Sequence, residues 1–217
     1  MNETPAQNDR EIIYVADPMC SWCWGFAPVI KTITETYGSQ VDITPIMGGL
    51  RPLTRHPMDS DAKQSMRSHW DHVQERSGQP FDYAFFDREA FIYDTEPACR
   101  AVVTVRSVKP SAALDYLERV HEAQYAHNRD TTDATVLAEL AESVGVTRSD
   151  FDGIFPTRAA IYQTSGDFHT AYRLGATGFP TVAVRTGQNV RTISAGYQAF
   201  DDLKPTIDAW LAEPVAA

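Results

Sequence analysis

The sequence predicts an α/β fold in which a βαβ half and a C-terminal ββα half are separated by a long helical insertion. Two short apolar runs near the N-terminus flank one helical segment, and two more near the C-terminus read as a hairpin followed by a helix. Between them, from about Pro52 to Leu174, the spacing is helical almost throughout, with no convincing period-two strand.

Each element has a local cause. Glu11 to Ala16 (EIIYVA) is a short apolar strand that Asp17-Pro18 breaks, so a helix is expected from about Cys20 to Tyr37, stopping at Gly38. Pro28 falls inside it and forfeits the bond to the Trp24 carbonyl, which predicts a kink one turn past the cysteines. Val41 to Met47 is the second strand, and strand–helix–strand makes a parallel βαβ unit. In the insertion, Ala98, Ala101, Val102, Val105 and Val108 form one apolar stripe. Leu137, Leu140, Ala141 and Val144 form another, closed by Gly145. Asp94-Thr95-Glu96-Pro97 and Thr131-Thr132-Asp133 supply the helix starts. Thr181 to Arg185 and Val190 to Ser194 then flank the turn Thr186-Gly187-Gln188-Asn189, and Leu203, Ile207, Trp210 and Leu211 share one face of a last helix. The domain reading is a core of residues 11–51 and 175–213 around an inserted helical subdomain, 52–174, whose last helix joins the core.

Composition removes several function classes. The 217 residues are 43% hydrophobic and 22% charged, ordinary for a globular chain. A formal net charge of −10 with 19 Lys plus Arg argues against nucleic acid, which needs a concentrated basic surface. No stretch has the apolar length to span a bilayer, and Met1 to Arg10 is polar, without the apolar run of an export signal. A cytoplasmic protein with no membrane partner is expected. Three cysteines cannot form a stapling framework, which points to redox or metal chemistry or to a buried thiol.

Cys20-Ser21-Trp22-Cys23 is where that chemistry is expected. Disulfide exchange needs a thiolate that attacks at neutral pH and a second thiol that releases the mixed disulfide. Spacing i, i+3 on a first helical turn supplies both. Cys20 faces unsatisfied N–H groups and the positive helix end, and so attacks; Cys23, one turn deeper, resolves. Ser21 offers a hydroxyl and Trp22 an indole without positive charge, which predicts a less oxidising site than one with histidine at that position. Thr177-Gly178-Phe179-Pro180-Thr181 opens the hairpin. A cis bond at Pro180 would turn the Phe179 backbone to the cysteines, its N–H and C=O free for an extended substrate.

At this point the sequence resembles the DsbA-like branch of the thioredoxin superfamily, particularly its FrnE-type members. The resemblance rests on Asp17-Pro18-Met19-Cys20-Ser21-Trp22-Cys23-Trp24, Met47-Gly48-Gly49-Leu50, Glu96-Pro97-Ala98-Cys99-Arg100-Ala101 and Gly178-Phe179-Pro180-Thr181, and spans about Glu11 to Glu213. It implies a thioredoxin-like fold and a protein disulfide reductase or isomerase. Cys20 and Cys23 would be catalytic, with Ser21, Trp22, Phe179 and Pro180 contacting substrate. Protein or peptide disulfides are the implied substrates and glutathione or a thioredoxin-type protein the electron donor, with no bound cofactor or metal. The Ser-Trp dipeptide departs from the Pro-His of periplasmic oxidants, which favours reduction or isomerisation. Tyr14 stands where related enzymes often bury an acid, and Asp17, the nearest carboxylate, reads as a turn or cap residue.

Other readings remain beside this one. Cys20 and Cys23 with His69 and His72 have the residue types of a zinc site but not its spacing. Cys99 reads as a buried, inert thiol, and His56, His121, His127 and His169 as surface or hydrogen-bonded histidines. Phe81, Tyr83, Phe85, Phe86, Phe91 and Tyr93 are core or a peptide groove, with Trp22 and Trp24 as exposed contacts. Kappa-type glutathione transferases and 2-hydroxychromene-2-carboxylate isomerases share the architecture but place serine near the first cysteine. A holdase or binding module with a redox switch is the alternative from another class.

Overall fold

The structure, a computed structural model, describes residues 10–214. The polar N-terminal stretch lies, apart from Arg10, outside the described residues. In chain order the elements are β1 (Arg10–Ala16), α1 (Ser21–Tyr37), β2 (Asp42–Met47), α2 (Ser60–Ser77), α3 (Glu96–Val108), α4 (Ala113–Tyr125), α5 (Ala134–Ser143), α6 (Arg148–Ile154), α7 (Arg158–Arg173), β3 (Thr181–Thr186), β4 (Asn189–Ala195) and α8 (Phe200–Ala212), with short 3-10 turns at Tyr83–Asp87 and Pro110–Ala112. The sheet order is β2-β1-β3-β4; β1 and β2 are parallel, and β3 is antiparallel to both β1 and β4. This is the mixed α/β architecture of a thioredoxin-like fold.

β1 is central and buried from Ile12 to Ala16, which is why its sequence is a continuous apolar run rather than an alternating one. On one face Ile12, Tyr14 and Ala16 join α1, α8 and the helices α3, α4 and α5 in one hydrophobic cluster; on the other Ile13, Val15 and Ala183 meet Ala171 of α7. Asp59, Asp133, Thr147 and Thr157 cap α2, α5, α6 and α7 by accepting backbone N–H bonds. α1 runs through Pro28 as one helix, and the Trp24 carbonyl that the proline leaves free accepts from Gln79 Nε2 at 3.2 Å. The aromatic segment of the insertion is core, not groove: Trp70 stands among Phe81, Tyr83, Phe85, Phe86 and Tyr125, with ring centroids 4.7 to 5.8 Å away.

The register builds the site. Ala16 pairs with Met47 and Val15 with Thr181, so the carboxyl ends of β1 and β2 and the start of β3 share one edge. Three loops therefore converge there: Asp17 to Cys20, Gly48 to Leu50, and Phe179-Pro180. No helix among the described residues is long and apolar enough to cross a membrane.

Candidate active site

Cys20 is the N-cap of α1. Its carbonyl accepts the N–H groups of Cys23 (3.0 Å) and Trp24 (3.1 Å), while its own N–H is held by the Asp17 carbonyl at 3.0 Å. Both sulfurs are free thiols; Cys20 is 6% exposed and Cys23 is fully buried. Burial, and then the neighbouring Cys20 sulfur, push the Cys23 thiol well above its ordinary value.

The Phe179–Pro180 peptide bond is cis, and the Cys20 thiol donates to the Phe179 carbonyl at 3.5 Å. The carbonyl expected to be free is thus engaged by Cys20 in this dithiol state. The Phe179 ring packs so closely on the Met47-Gly48-Gly49-Leu50 loop that a Cβ on Gly48 would lie 2.1 Å from its Cε1. Glycine at 48 is required by that approach, and at 49 by a backbone φ of 72°.

A groove of about 600 Å3 adjoins the dithiol, lined by Trp22, Phe179, Tyr197, His72, Glu75 and Arg76. Trp22 is half-buried, its ring 6.0 Å from Tyr197, and the Arg76 guanidinium lies over Tyr197 at 5.4 Å. Ser21 is half-buried, and among the described residues its hydroxyl has no hydrogen-bond partner. Trp24 is not an exposed contact: the chain after α2 folds over it, its indole N–H donates to the Pro80 carbonyl at 3.0 Å, and 5% of it is exposed.

Beneath the dithiol lies a polar layer that sequence reasoning underestimated. Asp17 does form the expected turn, accepting from Met19 N at 2.9 Å, but it is fully buried and also accepts from Leu50 N (2.6 Å) and the Cys99 thiol (3.3 Å). Burial raises its carboxyl despite these bonds, and raises the Cys99 thiol as well. His121 is buried with Nε2 3.1 Å from the Asp17 carbonyl, and burial lowers it to about 4. The Tyr93 hydroxyl donates to the Met19 carbonyl and lies 3.2 Å from the Tyr125 hydroxyl. The available signal was the recurrence of Asp17 and Cys99 within the resembling motifs; nothing in local spacing joined them. His56, His69, His72, His127 and His169 are exposed, and among the described residues no three His, Cys, Asp or Glu side chains stand together as metal ligands.

Comparison with known proteins finds relatives of the same fold. A protein of Nitrosomonas europaea provisionally assigned as a protein disulfide isomerase matches the structure with a TM-score of 0.88 at 34% identity, over 93% of this chain and 97% of that one. The cytosolic disulfide reductase DsbM of Pseudomonas aeruginosa matches with a TM-score of 0.77 at 24% identity, over 93% and 98%, and DsbM has also been solved with GSH. Among curated proteins, the ClpXP adapter SpxH of Bacillus subtilis is 24% identical over 79% of this chain; the chain spans 57% of that relative's length. The DSBA-like thioredoxin domain model matches residues 11–208, and the chain belongs to that family.

Proposed function

We propose that the protein is a thiol–disulfide oxidoreductase that reduces or isomerises protein or peptide disulfides in the cytoplasm, with glutathione or a thioredoxin-type protein as electron donor. The observation that carries this reading is the pair of free thiols on the first turn of α1, the outer one bonded to the Phe179 carbonyl and the inner one sealed beneath it.

In the forward direction the Cys20 thiolate attacks one sulfur of a substrate disulfide, and the other sulfur leaves as a thiolate. The Cys23 thiolate then attacks Cys20 Sγ, forming the Cys20–Cys23 disulfide and releasing the second substrate sulfur. Two electrons pass to the substrate, and two thiols of the donor restore the dithiol. The helix N-terminus favours the first thiolate. Trp22 and Phe179 line the groove where a peptide would lie, and the backbone at Phe179-Pro180 would pair with it once the Cys20 thiol releases the carbonyl.

The test is a trapping experiment. Cys23→Ser should accumulate mixed disulfides with a reduced-and-oxidised insulin mixture, and Cys20→Ser should form none and lose glutathione-driven insulin reduction. Mixed disulfides formed equally by Cys20→Ser would overturn the assignment. A second reading, a binding module with a redox-switched dithiol, draws on the SpxH relatives. It requires Cys20→Ser to keep its affinity for unfolded chains while losing reductase activity.

A further inference from the structure

Resolution by Cys23 poses a physical problem that the groove side does not solve. Its sulfur is fully buried, and negative charge must form on it before it can attack Cys20. What faces it from the sheet is Tyr14, in the middle of β1, whose ring packs on Phe26, one turn beyond Cys23 on α1, at 5.7 Å. The Tyr14 hydroxyl is buried and has no hydrogen-bond partner, a state that ordinarily costs about 1–3 kcal/mol. After burial, its strongest interactions are with Cys23 and then Cys20, and the Cys23 sulfur is close enough to count as a side-chain hydrogen-bond neighbour although no bond of ordinary geometry joins them.

Tyr14 also ends a second cleft, of about 370 Å3, on the α1–α4 side of the molecule. Ala27, Ile30 and Thr34 of α1 and Leu117, Glu118 and His121 of α4 are among its walls, and exposed Lys31, Glu35 and Arg119 stand at its rim. This cleft shares no residue with the groove beside Trp22.

We infer that Tyr14 is a catalytic residue of the resolving step, its hydroxyl donating a hydrogen bond to the Cys23 thiolate while the Cys23 proton is released to solvent. The inference rests on the proposed dithiol chemistry. A donor held beside the sulfur, without a bond of ordinary geometry before charge develops, is preorganised for that charge. The Cys23 S–H bond breaks, its electron pair stays on sulfur, and the thiolate attacks Cys20 Sγ, expelling the bound thiol as a thiolate. The phenol keeps its proton, in line with burial holding it well above its ordinary value.

The probe is the aryl disulfide that releases coloured thionitrobenzoate, mixed in stopped flow with the full chain. Attack by Cys20 releases one thiolate and resolution by Cys23 a second. Tyr14→Phe should leave the first phase unchanged and slow the second at least about tenfold, the loss of one hydrogen bond to a charged group. Its melting temperature should be unchanged or higher, because the deleted hydroxyl makes no hydrogen bond of ordinary geometry in the dithiol state. A second phase at the wild-type rate, or both phases slowed together with lower stability, overturns the role of Tyr14. A wild-type chain that releases only one thiolate overturns the dithiol reading itself, and Tyr14 with it.

Discussion

Replacing Asp167 by alanine should cost about 3 kcal/mol of stability, because one carboxylate ties three elements to the active-site edge. Asp167 on α7 takes both Arg106 guanidinium nitrogens, at 2.7 and 2.8 Å, and the backbone N–H of Met47 at 2.9 Å. The Arg106 and Asp167 side chains are 21% and 9% exposed. Removing one partner of a buried pair costs about 3–5 kcal/mol, and Arg106 keeps some water and the Pro45 carbonyl at 2.5 Å, which moves the value to the low end. The orphaned Met47 N–H would add about 1–3 kcal/mol if β2 could not shift. For a chain of this size about 3 kcal/mol lowers the melting temperature by roughly 6–12 °C. Urea unfolding followed by circular dichroism reads the loss as a lower midpoint at unchanged slope. Adding Arg106→Met to Asp167→Ala should recover part of it, since the stranded cation is then gone. A loss below about 1 kcal/mol, or a double variant no better than the single, would refute the reasoning.

Three further outcomes follow from the same structure. His121 has its pKa lowered by burial to about 4, against about 6.5 unfolded, so the unfolded chain binds the extra proton. Its contribution is complete above about pH 6.5 and is lost as pH falls toward 4, by up to about 3 kcal/mol; relative to wild type, His121→Gln should flatten the stability curve there, and parallel curves would contradict it. The buried Asp17 carboxyl, raised, acts with opposite sign in both proteins and cancels from the comparison. Trp70→Ala should cost about 3–5 kcal/mol in chemical denaturation, because five rings close on a fully buried indole; a loss under 1 kcal/mol would mean the cluster collapses to fill the space. Gly48→Ala should cost about 1–3 kcal/mol and alter the alkylation rate of Cys20 through the displaced Phe179, whereas Gly153→Ala on α6, which meets nothing within 4 Å, should be neutral or stabilising.

Much of the fold is legible in the sequence, for identifiable reasons. β1 to β2 and the C-terminal hairpin announce themselves through apolar runs ended by Asp-Pro and Gly, and the insertion through its 3.6-residue spacing. The placement of Cys20 at a helix start follows from the same breaker. What stayed hidden is long-range. Asp17 is a good turn residue on local grounds, and only the close approach of Leu50 and Cys99 makes it a buried carboxylate. Trp24 is read outward or inward with equal ease until the Gln79-Pro80 segment covers it. Tyr14 is marked in the sequence only by standing where related enzymes often bury an acid; the state of its hydroxyl is a property of packing, which no periodicity encodes.

The most direct test of the account is a redox titration of the purified protein against graded ratios of reduced to oxidised glutathione, with thiols trapped by alkylation and the Cys20–Cys23 state read by mass. The account predicts one reversible two-electron transition between Cys20 and Cys23, nearer the thioredoxin value of about −270 mV than the about −120 mV of a strong oxidant. Cysteines that never pair with each other at any ratio would contradict it.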